Sequence, residues 1–550
     1  MGLASRRALR LYCSRAIFSV LTQDLLAALT VSVLSIPESM AFAQLAGLPP
    51  SMGLCSAVVG GLVYALASSS DVAVAGPTSI QSLIVLSALT AWDPQDARRI
   101  ASSIAVLSAI MYLILWVLRL DRIFSVVLSD TLLSAFLSAA ALVVGLNQLP
   151  LLFQVQVPHN HSALFYLVDF FKRVVPDTNL VSLFFAITCV FVLVAGKTSS
   201  KLIVPNVRLQ SIMYGILVFL CTSLSMVVSY CMDLEGRYLV RQVGQIPSGF
   251  PSWEAPLFTS RFYKLLFPAF LCALIGYLQS VSVGSIYQKK HAEYTQLLAA
   301  SLEESSEIEE RLLDYQQGSQ FVSGQELIAL VFANLSSGLV FGYTVTTSIT
   351  RTILNQSIGA YTSMSSIGSA LIILTFVQSL GFVFAFLPRC ILGSIVISAV
   401  VKPVLDGLNE VFRLYRWSRW AEAAVWVSTF FGVIFISVDI GLGIGIACNL
   451  VYIAFAHRSG MVASVETRND CRSVLVLQGS LSYLHCEQIQ RIYAQECIDV
   501  LDLRGVEHFD SSIVQVISKL QFHQIIVDAD SDFPPISSAV IREESSVLAA

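Results

Sequence analysis

The chain has 550 residues, 55% of them apolar and only 13% charged, against about 25% charged in an ordinary soluble domain. With a mean hydropathy of +0.73, this excludes a soluble globular protein, a coiled coil and a disordered chain. A net charge of −4 gives no footing for a nucleic-acid partner, and the composition is that of a polytopic membrane protein with one small soluble part. The 11 cysteines and 7 histidines are scattered singly with no C-x-x-C, so the cysteines read as small hydrophobes and no metal site or cofactor is expected.

Residues 1–20 form a basic tail with Arg6, Arg7, Arg10 and Arg15. The apolar run behind it, 21–46, is interrupted by Asp24, Pro37 and Glu38 and ends in no small-residue cleavage site. It reads as a first membrane span, with a cleaved organellar presequence as the alternative. Further runs long enough to cross about 30 Å of hydrocarbon lie near 51–69, 99–118, 124–146, 179–196, 209–232, 264–287, 324–342, 365–387, 389–406, 420–437 and 439–457. Two segments, 77–91 and 347–359, are too short to span as ordinary helices, and each follows an irregular stretch with a glycine: Val74-Ala75-Gly76-Pro77 and Phe341-Gly342-Tyr343-Thr344. The total is fourteen segments, seven on either side of the 233–263 loop, with the short ones third and tenth. Matched interrupted segments in two halves are the sign of an inverted-repeat transporter.

With the N-terminus inside, the cytoplasmic loops carry Arg119, Arg122, Lys197, Lys201, Arg208, Lys289, Lys290, Arg413, Arg416 and Arg419, more than the opposite face. The sequon Asn160-His161-Ser162 then falls outside. Residues 291–320 are polar and acidic and read as a solvated helical extension inserted into the membrane domain 21–457. From Cys471 strand-like runs (473–477, 498–503, 524–527) alternate with helix-compatible stretches (486–496, 511–520), a small cytoplasmic α/β domain over 471–535 followed by a tail, 536–550.

Asp24-Leu25-Leu26-Ala27-Ala28-Leu29-Thr30, Ile36-Pro37-Glu38-Ser39-Met40-Ala41-Phe42-Ala43 and Leu45-Ala46-Gly47-Leu48-Pro49-Pro50 resemble the first-span signature of the SulP sulfate permeases, in animals the solute-carrier family of sulfate/anion exchangers. Ala75-Gly76-Pro77-Thr78-Ser79 is similar to its third-segment motif, Gly324-Gln325-Glu326-Leu327-Ile328-Ala329-Leu330 to its ninth, and Ser348-Ile349-Thr350-Arg351-Thr352 with Asn355 and Gly359 to its tenth. Phe509-Asp510-Ser511-Ser512 lies in a module resembling the STAS domain. It lacks the usual glycine, having Ile513, and the chain after Asp528 looks too short for a last strand.

The resemblance implies an all-α fold of fourteen transmembrane segments in a 7+7 inverted repeat, a core domain moving against a gate domain, an anion as substrate, no enzyme activity and a homodimer in the bilayer, most simply the plasma membrane. Sulfate is the first substrate by family frequency; bicarbonate, chloride and oxalate exchange or uncoupled conduction stay open, as does a non-transporting scaffold or sensor.

Physics points to the same residues. Gly76, Pro77, Thr78 and Ser79 open a half-helix whose free N–H groups and positive dipole end form an anion site without formal charge. Ser348 and Thr350 open its counterpart and add hydroxyl donors. Arg351 is a cation in an uncharged apolar segment, which costs at least about 2.5–3.5 kcal/mol. It attracts an anion, pairs with Glu38, or alternates between the two. Phe42 would line the pocket. Glu38, the only acid expected deep in the first half of the core, is the candidate for a coupled proton. Gln279 stands before Ser280 where many family members carry an acid, so sodium coupling is not expected.

Overall fold

The computed structural model describes residues 17–119 (apart from 91 and 94), 129–155, 163–204, 207–244, 262–301, 323–416 and 419–456, and in the C-terminal part five strands with Ile489 and Ile517. Helices fall on all fourteen predicted segments. They are α1 (Ile17–Leu45), α2 (Pro50–Ala67, with a π-turn at Ser56–Gly60), a two-residue strand β1 (Ala75–Gly76), α3 (Ser79–Leu89), α4 (Ala97–Val117) and α5 (Asp130–Phe153). Then come α6 (Ala163–Asp177), α7 (Leu180–Ile203), α8 (Val207–Met232), the short α9 (Leu234–Tyr238), α10 (Tyr263–Ser301) and α11 (Ser323–Leu339). The short strand β2 (Thr346–Thr347) precedes α12 (Ile349–Ile358), α13 (Met364–Leu380), α14 (Arg389–Arg416), α15 (Trp420–Phe435) and α16 (Val438–Ala456). Eight of the described helices are long and apolar enough to cross a membrane, while α3 and α12, with 11 and 10 residues, are too short at 1.5 Å per residue.

Helix α6 lies where no element was foreseen. Its Phe170 is buried and meets Phe153 edge-on at 5.3 Å, so tertiary packing of aromatic side chains fixes a stretch that reads as a loop. Helix α10 runs on to Ser301, which makes the first third of the acidic insertion a helical extension; residues 302–322 lie outside the described residues, as do the N-terminal arginines and the sequon.

The chain divides into two compact units, Met1–Asp121 with Ala141–Val401 and Arg122–Ala140 with Lys402–Ala550. In the first, α4 packs on α10 and α11, and α1 packs on α2, α12 and α13. Gly53 permits the α1–α2 approach: a Cβ there would collide with the backbone carbonyl of Ser39. In the second, α15 packs on α16, and Ser129 donates to Asn449 at 3.0 Å.

The second unit also holds a five-stranded sheet in the order β3 (Val462–Thr467), β4 (Ser473–Leu481), β5 (Val500–Phe509), β6 (Gln524–Asp528), β7 (Val540–Glu543). The β3–β4 pair is antiparallel and the rest are parallel. Buried Leu475, Leu477, Leu501 and Leu503 make its core with Ile489 and Ile517. The sheet therefore extends beyond 471–535 at both ends. The expectation of no strand after Asp528 is corrected: Val540, Ile541, Arg542 and Glu543 pair with Ile525–Asp528 and cover an edge that would otherwise stay open.

Candidate functional site

The site is built where the two interrupted segments cross. β1 and β2 pair antiparallel, with Ala75 opposite Thr347 and Gly76 opposite Thr346. Extended backbone in a membrane must have every polar group satisfied by protein, and here side chains from both halves do so. Asn334 on α11 is bidentate on Val345, donating to its carbonyl and accepting from its N–H, both at 2.9 Å. Ser56 accepts from the Tyr343 N–H at 2.8 Å, and Ser102 donates to the Gly342 carbonyl at 2.8 Å. On the other strand the Val74 N–H donates to Thr352 Oγ1 at 3.1 Å, and Asn355 donates to the Val72 carbonyl at 2.9 Å.

Two half-helices leave this crossing. Their N-termini differ. Ser348 caps α12, its hydroxyl accepting from the Arg351 N–H at 3.5 Å. Among the described residues no side chain caps α3: Thr78 stands at the N-cap position in extended conformation, and its buried hydroxyl has no hydrogen-bond partner among them. A helix start normally has its orphan N–H groups satisfied by a side chain, water or ligand. The α3 end thus presents both an open dipole end and an idle hydroxyl.

Arg351 lies in the first turn of α12 and is 1% exposed. Its Nε donates to Glu38 Oε2 at 2.8 Å and its Nη2 to Ser39 Oγ at 2.9 Å. Its Nη1 rests against Gly76, where a Cβ would strike it. Gly76 is needed for that approach, and the guanidinium ties both half-helix segments to α1. Pro37 inside α1 cannot donate to the carbonyl one turn back, so Glu38 follows a locally weakened stretch. Phe42, one turn after Glu38 on the same face, is buried. Behind Arg351 is a cavity of about 10 Å³ lined by Ser35, Ser366 and Ser369, the space of about one water.

Of the predicted residues, Glu38, Gly76 and Arg351 touch one another directly or through a shared partner. Pro77, Thr78 and Ser348 are buried at the two helix starts, while Ser79 and Thr350 are half-buried. Gln279 is buried with its Oε1 unpartnered, beside Ser280, whose hydroxyl meets those of Thr346 and Thr347 at 3.3 and 3.1 Å.

Glu38 is not the sole deep acid of the first half. Asp24 and Asp71 are also buried. Asp24 accepts from the Tyr361 and Thr362 N–H groups and from the Thr362 hydroxyl, at 2.8, 3.2 and 2.6 Å. Glu326 on α11, wholly buried, accepts from Tyr64 Oη at 2.5 Å, Ser69 N at 2.9 Å, Ser69 Oγ at 2.7 Å and Ser70 N at 3.2 Å. It clamps the loop that leads into β1. Sequence reasoning passed over these two carboxylates as family markers; an acid in an apolar span was the available signal.

A family model described as "Sulfate permease family" matches residues 21–296 and 310–429. Human solute carrier family 26 member 6 is 27% identical over 517 residues, 91% of this chain and 61% of that protein. The chloroplastic sulfate transporter 4.1 of Arabidopsis thaliana is 26% identical over 92% of this chain and 67% of that protein. The chain thus spans about three fifths of the length of the first curated relatives it matches. Among solved structures, the murine solute carrier 26 family member A9 anion transporter, in an inward-facing state, superposes with a TM-score of 0.67 at 20% identity, covering 93% of this chain and 86% of that one. The transmembrane domain of the cyanobacterial bicarbonate transporter BicA gives 0.58 at 19% identity, covering 78% and 97%. At these identities the structures show a shared fold.

Proposed function

The chain belongs to the sulfate permease family, and on that premise we propose that it carries small inorganic anions across a membrane by elevator-type alternating access, sulfate first, with bicarbonate, chloride and oxalate as the competing substrates. The observation that carries this reading is the uncapped start of α3, with the unpartnered Thr78 hydroxyl, set across the β1–β2 crossing from the buried Arg351. An anion there meets N–H donors, a hydroxyl and a positive field in a medium where each counts for more than in water. Phe42, Gly76, Pro77, Ser79, Ser348 and Thr350 are its remaining wall.

The ion pair supplies a means of coupling. While Glu38 is ionised, the charge of Arg351 is spent on it at 2.8 Å. Protonating Glu38 frees the guanidinium for an anion, and an anion that takes Arg351 favours protonation of Glu38. Proton and anion then promote each other's binding by equal factors, as linkage requires. The C-terminal sheet is read as a STAS-like cytoplasmic module and the assembly as a homodimer. The test is uptake of radiolabelled sulfate and bicarbonate into proteoliposomes with and without an inward proton gradient. Accumulation of either anion supports transport, and stimulation by the gradient supports coupling. Absence of uptake of every anion offered, with protein correctly inserted, leaves the scaffold reading standing instead.

A further inference from the structure

Thr78-Ser79-Ile80-Gln81 has the spacing of a capping box, a Ser or Thr at the N-cap with a Glu or Gln three residues on. In a closed box the N-cap hydroxyl accepts from the third residue's N–H, and the third residue's side chain accepts from the N-cap N–H. Here both halves stand open. Thr78 makes no side-chain cap bond. Its Oγ1 and Gln81 Oε1 are the two acceptors that a closed box would fill, and neither has a partner among the described residues. The two residues are 7% and 0% exposed, so each idle acceptor is held away from water at a cost.

The box is open because Gln81 is turned away from it. Gln81 Nε2 donates to the Cys272 carbonyl at 3.3 Å and to the Tyr112 hydroxyl. Tyr112, on α4, donates that hydroxyl to the same carbonyl of α10 at 3.2 Å. Gly276, one turn along α10, leaves the room for this: a Cβ there would strike both Tyr112 Oη and Gln81 Nε2. The partner half-helix differs. Its third residue is Arg351, whose N–H is accepted by the Ser348 hydroxyl and whose side chain is held by Glu38 and Ser39 on α1. In each half-helix the third residue is tied to a long neighbouring helix, but in α3 the tie leaves the cap idle. The first N–H groups of such a helix are left for a ligand.

We propose that Gln81 and Tyr112 are positioning residues: Tyr112, with the Cys272 carbonyl, holds Gln81 out of the Thr78 capping box, and the α3 N–H groups stay free for the anion instead of being taken by the chain itself. Naming an anion as the occupant rests on the function proposed above; the held-open box does not. Tyr112→Phe leaves Gln81 a single bond of 3.3 Å against the two contacts of a closed box, so the box should close. A cap that competes for the site raises KM and leaves the saturated rate alone.

The experiment uses the full chain as wild type, Tyr112→Phe, Gln81→Leu and the double variant. One readout is uptake of radiolabelled sulfate into proteoliposomes as a function of concentration. The other is hydrogen exchange at residues 78–81 in buffer free of sulfate. Tyr112→Phe should raise KM by about three- to tenfold, the worth of one modest hydrogen bond, with an unchanged maximal rate, and should slow exchange at 78–81. Gln81→Leu cannot close a box, so in that background Tyr112→Phe should move neither quantity. Exchange that Tyr112→Phe leaves unchanged, or a rise in KM that persists at full size in the Gln81→Leu background, overturns the proposal and makes Tyr112 a packing residue. A wild type that takes up no sulfate, with the exchange pattern as expected, sinks the sulfate reading and keeps the held-open box.

Discussion

Arg351→Ala tests whether the buried cation serves structure, transport or both. The substitution removes a 2.8 Å ion pair and a 2.9 Å hydrogen bond to Ser39, and strands Glu38, 3% exposed, without its cation. Breaking a buried pair by deleting one partner costs about 3–5 kcal/mol, most of it the desolvation of the charge left behind. The variant should therefore melt lower than the wild type by an amount on the order of several degrees. Adding Glu38→Gln removes the stranded charge and should restore most of the melting temperature. It should not restore anion uptake, because the field at the crossing is still missing. The assays are thermal melts of the purified protein and radiolabelled anion uptake into liposomes, on the wild type, both single variants and the double. Arg351→Lys should be intermediate, since an ammonium cannot bond Glu38 and Ser39 in the same planar geometry. Normal uptake by Arg351→Ala would refute the transport role. A melting temperature that Glu38→Gln does not raise would refute the stranded-charge account.

Three further outcomes are expected. Glu38→Gln alone should still exchange anion across liposome membranes but ignore a pH gradient; retention of full proton-driven accumulation would make Glu38 a structural partner of Arg351 and nothing more. Thr78→Val removes a hydroxyl that has no partner among the described residues, so the melting temperature should hold or rise while anion affinity falls by about three- to tenfold, the worth of one modest hydrogen bond; unchanged affinity would place the anion elsewhere. Glu326→Ala leaves four donors from Tyr64, Ser69 and Ser70 without their acceptor, at about 1–3 kcal/mol for each that water cannot reach. Hydrogen exchange should quicken at residues 68–73 and uptake should slow, with Glu326→Gln milder on both counts.

How much of this was legible in the sequence differs from element to element. The helices at all fourteen segments were, because a membrane leaves few options: an apolar run of about 20 residues must close its own hydrogen bonds as a helix. The two short segments were legible as well, since Gly76-Pro77 and Gly342 interrupt apolar runs at matching places. Arg351 stood out because a cation in such a run needs a reason. Helix α6 was not legible, because its order comes from Phe170 meeting Phe153 across the chain. Strand β7 was not either, since four residues gain their form only by pairing with β6.

The class, the number and order of segments, and the few polar residues that had to matter follow from the chain alone, because composition, periodicity and the cost of buried charge act locally along it. Which remote side chains meet is set by the packing. Ser348 caps its helix and Thr78 does not, Arg351 spends its charge on Glu38 and Ser39, 313 and 312 positions away, and Glu326 holds a loop more than 250 positions distant. Arg389 donates to the carbonyl of Gln242, 147 positions away. The physical reason is that a hydrogen bond or ion pair depends on distances of about 3 Å, and no local pattern in a chain encodes which remote residue will stand there.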